Sequence, residues 1–252
     1  MGGDRQREKT MKKLIKGLRK FQADYFNSHQ SFFEELAHGQ SPRALFICCS
    51  DSRVDPELIT QTEPGEIFVI RNAGNIIPPY GAANGGEGAT LEYAIEALGV
   101  KDVVVCGHSH CGAMKGLLKL KEIEEKLPLV SRWLDHAEAT RRVVVNNYSA
   151  CTFEDLLEIA VAENVLTQVD HLRTYPVVRD KLNRGELRLH GWVYEIESGK
   201  VYAYDPMVHE YVEPDAVTST PEPNYVLSNY HSKSCTWLPA EQGDRIYRGS
   251  GY

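Results

Sequence analysis

Three short apolar runs constrain the fold most strongly. They are Ala-Leu-Phe-Ile-Cys-Cys over residues 44–49, Glu-Ile-Phe-Val-Ile-Arg over 66–71 and Asp-Val-Val-Val-Cys over 102–106. Continuous apolar runs of this length indicate strands that are buried on both faces. A helical pattern over 88–98 separates the second run from the third. Strands that alternate with helices predict an α/β fold, with a mostly parallel central sheet, right-handed crossovers and flanking helices.

The segment before the first strand predicts helix. Apolar residues recur at helical spacing over residues 11–38. This pattern suits an ordinary amphipathic helix pair, and it also suits an arm that packs on a second subunit; the two interpretations are compatible. Residues 1–10 precede a second methionine, Met11, and are interpreted as a leader or an alternative start without a structural role.

The segment after residue 111 predicts mainly helix, followed by an edge hairpin. Helices are expected over 112–121, 129–146, 153–174 and 177–183. Two strands, 187–195 and 200–204, are joined by a Ser198-Gly199 turn and predict edge strands near the end of the core. Proline, serine, threonine and asparagine dominate 213–238, which is typical of a mobile linker. We therefore divide the chain into an arm (1–38), a core (39–212) and a linker with a tail (213–252).

Composition excludes several classes of function. The net charge of -7 gives no indication of nucleic acid or of an anionic membrane surface. No run reaches the roughly 18 apolar residues that a membrane span requires. No apolar secretory segment is visible at the N-terminus, so we expect a cytoplasmic, reducing compartment. There the six cysteines are expected to be thiols or metal ligands rather than disulfides.

Three residues form a candidate metal site. Cys49 ends the first predicted strand, and His108 and Cys111 follow the third, so all three should meet beyond the carboxyl ends of the strands. We expect residues 108–111 to open a helix, which would place His108 and Cys111 on one face of a turn. Two thiolates and an imidazole suit zinc, and three protein ligands leave a fourth position open for catalysis.

Simpler interpretations apply to several of these residues. A lone His-x-x-Cys is weak evidence, because a buried cysteine is usually a small hydrophobic residue. Cys48 should face away from Cys49 across the strand. His110 is open to three interpretations: a fourth ligand, a proton shuttle, for which His38 is another candidate, or a surface residue. The cysteines that fit the simple hydrophobic role best are Cys48, Cys106, Cys151 and Cys235.

A carboxylate and a guanidinium next to Cys49 strengthen the case for a catalytic site. Asp51 lies two residues from Cys49, which is a suitable position for a carboxylate partner of the metal's open position. Arg53 can hold Asp51 in a bidentate pair that keeps it ionised and oriented. Without a metal, the same two residues would form a local salt bridge.

These segments resemble the β-class carbonic anhydrases. The similarity lies in Cys-Ser-Asp-Ser-Arg over 49–53 and Gly-His-Ser-His-Cys-Gly over 107–112. Further similar segments follow in family order, and the resemblance covers roughly residues 38 to 206. They are 39–42, 68–73, 78–81 and 91–94. The resemblance implies the reversible hydration of carbon dioxide to bicarbonate.

The resemblance also implies roles for individual residues. It implies one zinc per chain, held by Cys49, His108 and Cys111, with Asp51 and Arg53 as the dyad beside the open position. By the same resemblance, the side-chain amide of Gln40 donates to substrate or bicarbonate. Phe68 and Tyr93 correspond to aromatic walls of the substrate pocket.

Assembly and location follow from the same resemblance. The family builds part of the pocket from a second subunit, which implies a homodimer or a higher multiple of dimers. Gln40 suits the members in which the aspartate never binds zinc directly.

Within the family, the chain resembles the carboxysomal group of cyanobacteria. Residues 75–88 and 108–119 carry this likeness, and so does the tail over 245–250. It implies docking to a carboxysome scaffold protein through the tail, and a supply of carbon dioxide to Rubisco. Three alternatives remain: a disordered tail, an assembly protein with little activity, and a hydrolase for carbon disulfide or carbonyl sulfide.

Overall fold

The computed structural model describes residues 2–83 and 85–217. The chain divides into two units, with the boundary between Ser41 and Pro42. Each unit is described by itself below. Helices in the described segments are all too short or too polar to cross a membrane.

The N-terminal unit is helical and begins earlier than predicted. Helix α1 spans Gly2–Lys20, a π-helical segment spans Phe21–Phe26, and α2 spans Gln30–Leu36. Residues 2–10, to which we assigned no structural role, are therefore part of a helix. Residues 2–10 contain no proline and are rich in Arg, Gln, Glu and Lys, all of which propagate a helix well. The aromatic rings of Phe21 and Phe33 pack edge to face at 5.7 Å.

A six-stranded sheet forms the centre of the second unit. Its strands are β1 (Ala44–Cys49), β2 (Ile67–Asn72), β3 (Asp102–His108), β4 (Arg188–Glu195), β5 (Lys200–Asp205) and β6 (Glu210–Val212). The order is β2-β1-β3-β4-β5-β6. The first four strands are parallel and the last two run antiparallel, which confirms the predicted mostly parallel sheet with edge strands. The three-residue β6 was not predicted.

Strand β1 marks a switch in the direction of the chain across the sheet. The chain leaves β1 for β2 on one side and then returns to β3 on the other. Cys49 lies in register with Asn72, and Cys48 lies in register with Cys106. Open α/β sheets bind ligands in the crevice beyond the carboxyl ends of strands at such a switch point. The fold therefore provides a crevice next to Cys49.

Alternation along β1 buries its two faces in different clusters. Leu45 and Ile47 pack with residues of the neighbouring strands and helices on one face. Phe46 and Cys48 pack on the other face. Cys49 joins a third cluster with Met114 of α5 (Gly112–Leu118). Cys48 thus faces away from Cys49, as predicted.

Helices cover the sheet. They are α3 (Pro56–Thr60), α4 (Gly86–Glu92), α6 (Leu120–Ile123), α7 (Pro128–Leu134), α8 (Glu138–Asn147), α9 (Phe153–Arg173) and α10 (Pro176–Asn183). A π-helical turn, Tyr93–Ala97, follows α4 directly, and a 3-10 turn, Asp135–Ala137, joins α7 to α8. Thr152 and Asp155 form a capping box that starts α9.

Glycines allow α9 to pack closely on the sheet. A Cβ atom at Gly107 would lie 2.8 Å from Val165 Cγ2, and one at Gly191 would lie 2.9 Å from Val165 Cγ1. Both distances are below normal contact, so side chains at these strand positions would push the helix away. The close approach holds α9 against β3 and β4.

The predicted helix start at residue 108 was wrong. His108 is the last residue of β3, residues 109 and 110 form a turn, and Cys111 is the extended N-cap of α5. Strand β3 continues beyond Cys106 because Gly107 and His108 pair with β4. That pairing joins segments about 85 residues apart and leaves no local pattern in the sequence.

Of the predicted linker over residues 213–238, only the first residues, up to residue 217, lie within the described chain. Residues Pro214–Ala216 form one 3-10 turn. The rest of the predicted linker, residues 218–238, lies outside the described residues. The predicted tail over 240–252 and Cys235 lie outside them as well.

Candidate metal centre

Three buried side chains meet beyond the switch point. Cys49 ends β1, His108 ends β3, and Cys111 caps α5. One ligand atom from each lies within 4.8 Å of the others. The structure therefore brings together the three predicted ligands from three separate elements.

The hydrogen bonding of His108 orients its ring toward the two sulfurs. Nδ1 lies 2.9 Å from the carbonyl oxygen of Ser109, which can only accept, so Nδ1 carries the proton. Nε2 then presents a lone pair. It is fully buried and finds no hydrogen-bond partner among the described residues. A buried nitrogen of this kind requires an explanation, and a metal ion provides one.

The two thiols behave as a pair that shares one proton. The pKa of the Cys49 thiol is lowered to about 4, mainly by the hydrogen bond from Cys111 and against the effect of burial; the nearby His108 ring and the Gly74 N–H, 3.4 Å from Sγ, contribute to the same shift. The same hydrogen bond and burial raise the pKa of Cys111. A divalent cation would replace the shared proton. Two thiolates and one imidazole nitrogen fit zinc.

An ionised carboxylate lies beside this group. Arg53 donates to Asp51 in a bidentate pair, with Nε 2.9 Å from Oδ1 and Nη2 2.7 Å from Oδ2. These hydrogen bonds hold the pKa of the Asp51 carboxyl well below its usual range. Asp51 Oδ2 lies 3.9 Å from Nε2 of His108. Asp51 is thus close to the metal position without belonging to the three-ligand group.

Arg71 supports this carboxylate, and sequence reasoning assigned it no role. It donates from Nη2 to the carbonyl oxygens of Asp51 (2.9 Å) and Val54 (2.7 Å) and from Nε to that of Cys49 (3.3 Å). The guanidinium thus fixes the loop that follows β1. The available signal was an arginine at the end of an otherwise apolar strand, since a charged group there requires partners.

The loop after β2 is fixed by buried amides of α9, which sequence reasoning also missed. Asn164 Nδ2 donates to the Gly74 carbonyl oxygen at 2.9 Å, and Gln168 Oε1 accepts from the Ile77 N–H at 2.9 Å. Gln168 Nε2 also donates to Asn164 Oδ1. Two amides four residues apart on the otherwise apolar buried face of α9 were the available signal.

His110 points away from the metal group. It adopts a left-handed backbone with φ 55°, and its exposed Nε2 lies 3.1 Å from Glu197 Oε1. Ser109 Oγ donates to the other carboxylate oxygen at 2.7 Å. Glu197 thus tethers the ligand turn to the β4–β5 hairpin, and His110 is not a fourth ligand in this arrangement.

The predicted pocket residues lie apart from the metal group. The rings of Phe68 and Tyr93 are 6.1 Å apart. Phe68 lies in register with Leu45, whereas Cys49 lies in register with Asn72, four residues further along the strands. At about 3.3 Å per residue, Phe68 is therefore about 13 Å along the strand from the level of Cys49. Gln40 belongs to the N-terminal unit, and its predicted role stays a prediction.

The geometry first defines a class of protein. Three protein ligands of this kind at a parallel-sheet switch point, beside an ionised aspartate, are typical of an α/β metalloenzyme with a catalytic rather than a structural ion.

Comparisons with known proteins agree with this class. Residues 44–201 match the family model described as carbonic anhydrase. A carbonic anhydrase of Synechocystis sp. is 54% identical over 95% of this chain and 100% of its own length. The solved β-carbonic anhydrase CcaA is 65% identical, with a TM-score of 0.81 over 81% of this chain and 100% of that chain. A tetrameric β-carbonic anhydrase from Sordaria macrospora is 28% identical, with a TM-score of 0.70 over 77% and 96%.

This chain therefore belongs to the β-carbonic anhydrases, and its activity is the hydration of carbon dioxide.

Proposed function

We propose that the chain binds one zinc through Cys49, His108 and Cys111 and that carbon dioxide and bicarbonate interconvert beside it. The observation that supports this best is the buried, unpaired Nε2 of His108, which lies with two sulfurs in one group. Zinc, when bound, supplies a Lewis acid that makes water nucleophilic near neutral pH.

Asp51 and Arg53 orient the reacting water. The Asp51 carboxylate stays ionised beside the group, so it can only accept hydrogen bonds and aims a water lone pair at the substrate carbon. The bidentate Arg53 keeps both carboxylate oxygens in place. Gln40 donates to the substrate oxygen that gains charge.

A second subunit completes the site. Phe68 and Tyr93 form one aromatic pair, about 13 Å along the strand from Cys49. Tyr93 is 50% exposed, so the pair is available to the pocket of a neighbouring copy. We propose a homodimer or a multiple of dimers, which agrees with the tetrameric form of the Sordaria macrospora enzyme.

Adjacent cysteines provide the test of the zinc site. Cys49→Ala should lower zinc content from one per chain toward zero and remove carbon dioxide hydration measured by stopped flow. Cys48→Ala is the matched control, because Cys48 is equally buried but lies on the opposite face of β1. It should keep both zinc and activity. Full activity in Cys49→Ala would contradict the proposal.

We also propose that the enzyme works inside carboxysomes and supplies carbon dioxide to Rubisco. The likeness of residues 75–88, 108–119 and 245–250 to the carboxysomal group supports this location, as does the match to Synechocystis sp. over 95% of the chain. The tail would then dock to a scaffold protein.

Deletion of residues 240–252 tests the docking. The truncated enzyme should keep its hydration rate and lose binding to the carboxysome scaffold protein in a pull-down. A variant with the same tail residues in scrambled order is the control for length and composition, and it should behave like the deletion. Unchanged scaffold binding by the truncated enzyme would contradict this role of the tail.

A further inference from the structure

We infer that Asn164 is a positioning residue for the Cys49 thiolate. It acts through the backbone of Gly74: it holds the carbonyl of this residue, and the N–H of the same residue donates to the sulfur. This inference rests on the proposed zinc site and assigns to α9 a part in tuning that site.

A continuous series of hydrogen bonds joins α9 to the sulfur. Gln168 Nε2 donates to Asn164 Oδ1 at 2.9 Å. Asn164 Nδ2 donates to the Gly74 carbonyl oxygen at 2.9 Å, and the Gly74 N–H donates to Cys49 Sγ at 3.4 Å. Asn164 is 1% exposed and Gln168 is fully buried, so water does not compete for these bonds.

The position of Gly74 leaves its peptide little freedom. Its φ of +83° lies in the left-handed region, and an added Cβ would be 3.0 Å from Ala113 Cβ and 3.1 Å from Met114 Cε. The glycine therefore packs directly against the first turn of α5, which follows Cys111. Asn164 holds the carbonyl of the same residue, which lies in the peptide that follows.

Two physical effects follow from this arrangement. The Gly74 carbonyl that Asn164 holds and the Gly74 N–H belong to consecutive peptides joined at the Gly74 Cα, so holding the carbonyl restricts rotation about that Cα and keeps the N–H aimed at the sulfur. An N–H that donates to a thiolate withdraws charge from the sulfur, and it also fixes the direction of the sulfur lone pairs. Asn164 would thus reduce the charge that Cys49 gives to the metal and keep the ligand preorganised.

A simple structural role for Asn164 is the competing explanation. A side-chain hydrogen bond elsewhere on α9 provides a matched control for it. Thr140 Oγ1 donates to Thr167 Oγ1 at 2.8 Å and joins α8 to α9, away from the loop that holds Gly74. Thr140→Val removes a buried hydrogen bond of the same helix but leaves the series to Cys49 intact.

The test uses the full-length enzyme with cobalt(II) in place of zinc. Asn164→Leu has nearly the same shape and removes the donor, and Asn164→Ala is a second variant that removes the donor without adding bulk or charge. In both, the thiolate-to-cobalt charge-transfer band should move to lower energy, because the sulfur holds its electrons less tightly. Zinc affinity, measured by competition with a chelator, should fall about 10-fold or more, because loss of the preorganised ligand geometry outweighs the stronger donation from the sulfur. Thr140→Val should leave the charge-transfer band and the zinc affinity unchanged.

The outcomes separate this inference from the proposed zinc site. A wild-type band in the Asn164 variants would overturn the inference, and so would an equal shift in Thr140→Val. If the wild-type protein bound no zinc at all, the proposed function would fail together with the inference. If the wild-type protein binds zinc and the band is unshifted in Asn164→Leu and Asn164→Ala, the inference alone fails and the proposed zinc site stands.

Discussion

At the scale of residues, hydrogen bonds decide what each side chain can do. The Ser109 carbonyl selects the tautomer of His108, so that Nε2 and not Nδ1 faces the sulfurs. Arg53 occupies both oxygens of Asp51, which keeps that carboxylate charged and beside the metal group. That these side chains suit zinc was predictable from the sequence, because thiolates and imidazole are typical zinc ligands. The tautomer of His108 was not predictable, because it depends on the neighbouring Ser109 carbonyl.

The first prediction concerns Arg53. Arg53→Gln should lower kcat/KM for carbon dioxide hydration about 100-fold, because Asp51 loses its bidentate partner and no longer holds the water in one orientation. Zinc content should stay unchanged, since Arg53 is not a ligand. Stopped-flow kinetics and metal analysis check both parts.

Arg43→Gln is the control for loss of one positive charge, because Arg43 forms only an exposed pair with Glu66 at 3.5 Å. Its kcat/KM should match that of the wild type. Wild-type kinetics in Arg53→Gln would show that the dyad has no part in the reaction.

At the scale of elements, the ends of strands and helices place the ligands. The predicted end of β3 at residue 106 would leave His108 on a helix. Pairing with β4 instead extends β3 to His108, so the imidazole projects from the sheet edge and Cys111 reaches the same point from the N-cap of α5. The existence of β3 was predictable from its apolar run, whereas the end of β3 at His108 depends on pairing with β4, which lies far away in the sequence.

The second prediction concerns the packing of α9. Gly191→Ala should lower the free energy of unfolding by about 1–3 kcal/mol, because its Cβ would lie 2.9 Å from Val165 Cγ1 and the β-branched valine cannot move aside easily. Chemical denaturation measures the change.

Gly86→Ala is the control, since an added Cβ at this first position of α4 meets nothing within 4 Å. It should leave stability unchanged or raise it by about 0.4–1 kcal/mol through the unfolded state. Equal destabilisation by both substitutions would contradict close packing at Gly191.

The third prediction concerns pH and the start of α8. Hydrogen bonds from Arg141, and then from Arg142, lower the pKa of Glu138 from 4.5 to about 2. A folded pKa below the ordinary value stabilises the protein above pH 4.5, and this stabilisation is lost as the pH falls toward 2. Glu138→Gln should therefore cost about 0.5 kcal/mol at pH 7, a value typical of a partly exposed pair.

Near pH 2 the difference between Glu138→Gln and the wild type should vanish. Urea denaturation of both proteins at a series of pH values measures it. A difference that stays constant with pH would assign the effect to packing rather than to charge.

At the scale of the whole molecule, the metal site links parts that are distant in sequence. Its ligands come from β1, β3 and the cap of α5, so they converge only in the folded chain. An ion that binds the folded state alone stabilises it by mass action. Zinc should therefore contribute to the stability of the fold as well as to the chemistry.

The fourth prediction follows from this linkage. Removal of zinc with a chelator should lower the Tm of the wild-type enzyme by about 5 °C or more, as expected for loss of a few kcal/mol in a chain of this size. Thermal unfolding with and without chelator measures the shift. Cys49→Ala is the control, and its Tm should not respond to the chelator. A response as large as that of the wild type would place the stabilising ion elsewhere.

The sequence alone determined the α/β class and indicated the three candidate ligand residues, because buried strands and thiol and imidazole side chains at the ends of strands leave local patterns. Only the tertiary structure decided how these residues meet: the switch at β1, the extension of β3 by β4, and the supporting contacts of Arg71 and Asn164. These features join segments that are far apart along the chain. Their free energy comes from long-range pairing and burial, which no local pattern of residues encodes.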